Sequence, residues 1–325
     1  MSARKYTKQQ QFDSPGLFSS EMLGEALTPA EVPLKPAAKS AGEPAIFFMS
    51  FGSGSSGNCS YVGDRSGGFL IDAGVDPAKV QKELHEHGIP MTHVRGIILT
   101  HDHGDHVRYV YTFLRNNRHM LAYCTPKIMN GILRRHSISR RIKDYHRAIY
   151  KEFEFCVGNF VITPFEVSHD GSDNCGFFIV NGSASMAVAT DLGCITERVD
   201  FYMRRVNFMV IESNYDLKML REGPYPDYLK ARIEAAQGHL DNVASAEFVA
   251  SCWSPALSHV FLCHLSHDNN RPEIASNAYR QAFGTKHPEL TIGDGLRENL
   301  SDVQVIVLPR YDATPLYVLR PKSIV

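Results

Sequence analysis

Between Thr100 and His106 the chain reads Thr-His-Asp-His-Gly-Asp-His, which places three imidazoles and the Asp105 carboxylate within six residues. Side chains two apart in an extended segment project to one side, so His101 and His103 converge. Asp105 and His106 fall at the start of a helical pattern and can turn back toward the same point. Imidazole and carboxylate together suit borderline cations such as Zn²⁺, Mn²⁺ or Fe, and the lack of thiolates in the cluster argues against a purely structural cysteine-zinc site. Metal-assisted hydrolysis is the chemistry such a cluster can support. Three more candidates lie downstream: His169 in EVSHD, Asp191 in VATDLG and His264 in FLCHLS. Each follows an apolar β-like run, and each alone would read equally well as a turn cap.

These residues need elements that bring strand ends together. Short β runs begin at Ala45 (AIFFMSF, NCSYVGD, GFLIDAG), separated by Gly and Ser. A helical pattern over about 77–87, an apolar strand VRGIILT, a helix beginning near Asp105, a strand MLAYC and a helix from Pro126 come next. A second β block (EFEFCV, FVITPFEV, CGFFIV, SMAVAT) precedes NFMVIES, a helix after Asp241, HVFLCHL and a helix over about 273–283. The order β, α/β, β, α/β predicts an α/β chain whose two sheets pack face to face with helices outside, a four-layer αββα sandwich, although two separate domains would satisfy the same pattern.

With its H-x-H-x-D-H segment followed by a His, an Asp and a final His, the chain resembles the metallo-β-lactamase-fold hydrolases from about residue 45 to 283. The resemblance implies one metal held by His101, His103 and His169, a second held by Asp105, His106 and His264, and Asp191 bridging them. It also implies that Asp72 orients the metal-binding loop from behind. The stretches FGSGSSGNCSYV, IESNYD, KARIEAAQGHLDN and CHLSHDNNRPEIA are similar to the YycJ-like (WalJ-like) branch, which is related to ribonuclease Z. Tyr215 departs from that pattern, in which His often follows Ser-Asn. His267 competes with His264 as the last ligand, and the His-Leu-Ser context favours His264.

The resemblance further implies a hydroxide shared by two divalent cations as the nucleophile, with Asp105 taking its proton. An alkoxide leaves poorly without a proton, so a phosphodiesterase also needs a general acid. Glu212 and His239 resemble the pair that supplies it in ribonuclease-Z-like relatives. The plainer alternative is a Glu212 paired with a surface cation and a His239 that merely precedes the helix cap Asp241. Arg134, Arg135, Arg140, Arg141 and Lys143, interleaved with His136 and Tyr145, form a basic stretch suited to a phosphate backbone, or else a solvated face. The expected activity is phosphodiester hydrolysis on nucleic acid, DNA or RNA, as an exonuclease or an endonuclease. The rivals are hydrolysis of a small ester, lactone or thioester on the same metals, and a non-catalytic scaffold that binds nucleic acid or a partner.

Composition bounds the rest. In 325 residues, 34 Lys and Arg stand against 35 Asp and Glu, so a nucleic-acid partner must be met by a local basic patch and not by overall charge. Seven scattered cysteines without a C-x-x-C pair fit reduced thiols and a cytoplasmic compartment, and Cys59 and Cys263 read as small buried apolar residues, not nucleophiles. No apolar run approaches the ~18 residues of a membrane helix. Residues 1–44, rich in Gln, Ser, Pro and Lys, read as an arm or linker ahead of a domain over 45–325. Gly52-Ser-Gly-Ser-Ser-Gly57 with Asp72 downstream mimics a dinucleotide fingerprint, but NCSYVGDRSGGFLID alternates like a hairpin where a helix should open, so no nucleotide cofactor is expected.

Overall fold

Strands β1 (Ile46–Gly52), β2 (Cys59–Asp64) and β3 (Gly67–Ile71) pair as an antiparallel meander, and the turn between the last two is closed by Asp64, which accepts from the Ser66 amide and hydroxyl. The computed structural model describes residues 45–295 and 301–322, which belong to one compact unit. The expected arm over 1–44 lies outside the described residues.

From β3 the sheet continues in parallel through β4 (Val94–Ile98), β5 (Leu121–Cys124) and β6 (His146–Ala148). Parallel neighbours require crossovers, and helices supply them. These are α1 (Pro77–Glu86), the pair α2 (Gly104–Val107) and α3 (Val110–Asn116), and α4 (Pro126–Arg135) with a 3-10 turn over Arg140–Tyr145. Asp76 before Pro77 and Thr125 before Pro126 cap α1 and α4, each accepting from a first-turn amide, so a side-chain acceptor and a proline start both helices.

The second sheet runs β7 (Phe155–Val157), β8 (Phe160–Glu166), β9 (Cys175–Asn181) and β10 (Ala184–Ala189) as antiparallel neighbours, then turns parallel through β11 (Phe208–Glu212) and β12 (His259–Cys263). Helix α5 (Glu197–Met203) links β10 to β11; α6 (Leu217–Glu222), α7 (Asp227–Glu234) and α8 (Asn242–Cys252) link β11 to β12; α9 (Pro272–Lys286) comes after β12. Strands β13 (Ile292–Gly293) and β14 (Val303–Val307) complete this sheet beside β12, and β15 (Tyr317–Leu319) returns to pair with β1.

Both faces of β3 and β11 are covered, as a sandwich requires. Phe48 meets Phe261 at 4.7 Å and Phe69 meets Phe160 at 5.5 Å across the two sheets. Val80, Leu84, Phe113 and Ile128 pack α1, α3 and α4 on the first sheet, while Val199, Val249, Tyr279 and Phe283 pack α5, α8 and α9 on the second. The result is one αββα sandwich, not two separate domains. The helix expected to begin near Asp105 starts at Gly104 and falls into two pieces, α2 and α3, because the Tyr109 amide leaves the helical path to bond Ala73 O at 2.9 Å. Among the described residues no helix is long and apolar enough to cross a membrane.

Candidate metal centre

Strands β3, β4, β8, β10, β11 and β12 all point their carboxyl ends toward one rim, and the residue types of interest sit in the loops just beyond them. Asp72 follows β3, the 100–106 segment follows β4, His169 follows β8, Asp191 follows β10, Glu212 closes β11 and His264 follows β12. His239 arrives on the loop between α7 and α8.

At that rim the ligand atoms of His101, His103 and His169 lie within 4.8 Å of one another, and so do those of Asp105, His106 and His264. Asp191 spans the two sets: its Oδ2 is 3.2 Å from His106 Nε2, while Oδ1 is 3.4 Å from His264 Nδ1 and 3.7 Å from His169 Nε2. All seven residues named from the motif are therefore gathered in one site. His267 is not among them; its exposed ring pairs with Asp268 at 2.8 Å.

Protein acceptors hold one nitrogen of several of these rings and so turn the other inward. His106 Nδ1 bonds Asp72 Oδ2 at 2.7 Å, His169 Nδ1 bonds Gly238 O at 2.9 Å, and His264 Nδ1 bonds Glu212 Oε1 at 2.9 Å. Asp72 also accepts from the Thr100 amide at 2.9 Å and its hydroxyl at 2.8 Å, tying β3 to the histidine loop. Asp72 and His264 both adopt left-handed backbone conformations, φ 61° and 56°, a strain of roughly 1–3 kcal/mol each that concentrates at functional positions.

Three supports emerge only in the folded chain. Asn58, in the Gly/Ser loop, donates its side-chain amide to Asp105 Oδ2 at 3.2 Å and its backbone amide to Asp105 O at 2.8 Å. Asp170 stands 3.3 Å from His103 Nε2 and pairs with Arg232 of α7 at 2.6 Å. Asp102 anchors Ser172 at 2.7 Å. Position inside or beside a motif is the one sequence signal each of them carries. The loop also needs Gly74, where a Cβ would stand 1.6 Å from Asp105 O.

The electrostatics favour cations. Burial, reinforced by His106, holds His101 well below the ordinary histidine range, and burial with His169 lowers His103, so both are neutral donors. Burial opposes charge on His264 as well, yet Asp191, Asp105 and Glu212 lift it to about 10. Asp191 resists burial and stays well below the carboxylate range because His264, His106 and His101 face it. Among the described residues, buried His101 Nε2, Asp191 Oδ2 and His264 Nε2 have no hydrogen-bond partner. Unpaired buried polar atoms are costly, and these converge with chemistry that divalent ions satisfy, so the residues fit a dinuclear site.

Glu212 is fully buried, which excludes pairing with a surface cation. It accepts from the Leu192 and Leu240 amides at 2.8 and 3.1 Å, and holds His239 Nδ1 at 2.8 Å. Asp241 caps α8, accepting from Val243 and Ala244 amides, and so fixes the chain just after His239. Tyr215 is buried and bridges in parallel to Asp241. The basic stretch is divided. Arg134 and Arg135, in the last turn of α4, reach Ser172 at 2.9 Å and Asp102 at 3.4 Å beside the histidine loop, whereas Arg140, Arg141 and Lys143 lie on the 3-10 turn. Ser53 of the Gly/Ser loop accepts from the His264 amide at 2.9 Å, and β2 succeeds the loop where a dinucleotide site would need a helix. Cys59 and Cys263 are buried thiols whose burial pushes their pKa well up.

Residues 68–260 match the family described as beta-lactamase superfamily domain. The chain is 30% identical over 247 residues to "Exodeoxyribonuclease YycJ" of Bacillus anthracis, covering 74% of this chain and 90% of that protein. It is 28% identical over 223 residues to "Exodeoxyribonuclease WalJ" of Streptococcus pneumoniae serotype 2, covering 69% and 82%. The metallo-beta-lactamase fold protein YhfI from Bacillus subtilis superposes with a TM-score of 0.58 at 14% identity, over 83% of this chain and 99% of that one. Sheet order, rim loops and relatives agree, and the chain belongs to the metallo-β-lactamase-fold superfamily, in its YycJ-like branch.

Proposed function

We propose that the protein is a metal-dependent phosphodiesterase that removes nucleotides from the end of a DNA strand. The observation that carries the reading is the pair of ligand groups sharing Asp191, with His239 standing beside them on the buried Glu212. The YycJ and WalJ relatives, named exodeoxyribonucleases, support DNA as the substrate.

His101, His103 and His169 would hold one ion, and Asp105, His106 and His264 the other, with Asp191 common to both. When bound, two divalent ions polarise the phosphoryl oxygen and make a hydroxide available near neutral pH. Zn²⁺, Mn²⁺ and Fe all suit these donors. Asp105, its side chain fixed by Asn58, orients the attacking water and accepts its proton. His239 holds its Nδ1 proton on Glu212 and turns Nε2 outward, where it donates to the departing sugar oxygen. Glu212, held by the Leu192 and Leu240 amides and by Asn214, acts through His239 and His264. Arg134 and Arg135, beside the histidine loop, would meet the phosphate backbone. Free cysteines, five of the seven buried, favour a reducing cytoplasmic setting.

The test is hydrolysis of end-labelled DNA and RNA strands with added Mn²⁺ or Zn²⁺, using Asp191→Ala as the background. Stepwise shortening of DNA that is absent from the variant supports the reading. A protein that holds two metals yet leaves every strand intact overturns it in favour of a small ester, lactone or thioester.

A further inference from the structure

Helix α3 and the Arg140–Tyr145 turn enclose a concavity of about 480 Å³ lined by Tyr111, Arg115, Arg118, Arg141, Asp144 and Tyr145. None of these is a candidate metal ligand. The three arginines are exposed, and among the described residues none of their side chains has an ion pair or hydrogen bond. Arg204, Arg221 and Arg232, by contrast, are each neutralised by a carboxylate within about 3 Å. The cationic excess reaches beyond the concavity. From His106 to Lys151 the chain carries eleven Lys and Arg and a single acidic residue, Asp144, although its net charge is -1. About a third of the chain's 34 Lys and Arg thus fall in this one segment, almost unopposed by carboxylates.

We infer that this concavity is a second phosphate-binding site, which grips the DNA strand outside the metal centre; the inference rests on the nuclease reading. Guanidinium forks match phosphate oxygens in pairs, and like-charged guanidiniums left unpaired around a hollow are stabilised by an incoming anion. The half-buried Tyr111 and Tyr145 supply ring faces on which unpaired bases stack without regard to sequence. Within the same basic segment Arg134 and Arg135 stand beside the histidine loop, so a strand that runs from the metal centre to the concavity has cations at both ends. A strand long enough to reach it is held more tightly than a short one, and enzyme and substrate stay together between successive cuts.

The test pairs Arg115→Gln/Arg118→Gln with the charge-preserving Arg115→Lys/Arg118→Lys. Binding is measured with a phosphorothioate-protected single strand of about 30 nucleotides over a range of salt, and turnover with bis(p-nitrophenyl) phosphate, which is too small to span both sites. The Gln pair is expected to weaken strand binding roughly tenfold and to lower the slope of log affinity against log salt by about 1.4, two phosphate contacts at about 0.7 each for a single strand. Turnover of the small diester stays at the wild-type rate, and the Lys pair retains most of the binding. Unchanged strand binding in the Gln pair, with DNA cleavage intact in the wild type, overturns the second site alone. Loss of small-diester turnover also overturns it, because the arginines would then be acting through the metal centre. A wild type that neither binds nor cuts DNA overturns the nuclease reading itself.

Discussion

Glu212 Oε1 stands 2.8 Å from His239 Nδ1, and the carboxylate that makes this bond has no surface exposed to solvent. The same oxygen is 2.9 Å from His264 Nδ1. One buried anion therefore orients both a candidate proton donor and a candidate ligand, and the two imidazoles lower its pKa from the ordinary value in spite of its burial. His239 is held in turn: burial would lower its pKa, but Glu212 raises it above the ordinary histidine value. A histidine in that state keeps a proton to give.

His239→Ala is expected to retain both metals and the fold while DNA hydrolysis falls roughly 10²- to 10⁴-fold, the usual worth of a general acid. Bis(p-nitrophenyl) phosphate, whose leaving group needs no proton, should lose far less. Equal losses on the two substrates would remove His239 from the acid role.

Asp191→Ala should lose metal as well as activity, because Asp191 is the carboxylate standing between the two ligand groups. Elemental analysis is expected to fall from about two ions per chain to one or fewer, and the activity loss should exceed the roughly 10–100-fold typical of a supporting residue. Full metal retention would refute the shared position.

Asp72→Asn keeps a residue that tolerates the left-handed backbone but removes the charge facing His106. Metal affinity, read by competition with a chelator, is expected to fall about 10–100-fold with the fold intact by circular dichroism. Wild-type affinity in this variant would make the Asp72–His106 pair purely structural.

His259 opens β12 in register with Phe208 and Gln304, away from the metal rim. Burial, aided by Lys322, lowers its pKa to about 4. The unfolded chain, near 6.5, takes up a proton that the folded chain refuses, so stability present above pH 6.5 is lost as pH falls toward 4, by up to roughly 3 kcal/mol. Urea midpoints at pH 7.5 and 5 should differ less in His259→Gln than in the wild type. Identical differences would show that another group carries the acid sensitivity.

Much of the fold is legible in the sequence because its signals are local. Asp76-Pro77, Thr125-Pro126 and Asp241 announce helix starts through side-chain acceptors, and apolar runs such as VRGIILT and HVFLCHL become strands because nothing else buries them in so few residues. The helix that begins near Asp105 is broken after Val107 because Ala73 O, far back in the chain, competes for the Tyr109 amide, which no local pattern announces. Strands β14 and β15 have β-branched and aromatic residues of their own, but that they pair with β12 and β1 is decided only by packing.

The residue types of the site belong to the sequence alone: spacing within 101–106 already places imidazoles and a carboxylate on one short loop, since that geometry is set by neighbouring bonds. Which distant residues join them is a property of the packed sheets. Strands β8, β10, β11 and β12, which end at one rim, bring His169, Asp191, Glu212 and His264 there, and only their packing separates His264 in the site from His267 in solvent, three residues on. Charge divides in the same way. Composition reports near neutrality, and the tertiary structure determines where the cations collect, because exposure and pairing depend on neighbours that the chain meets only after folding.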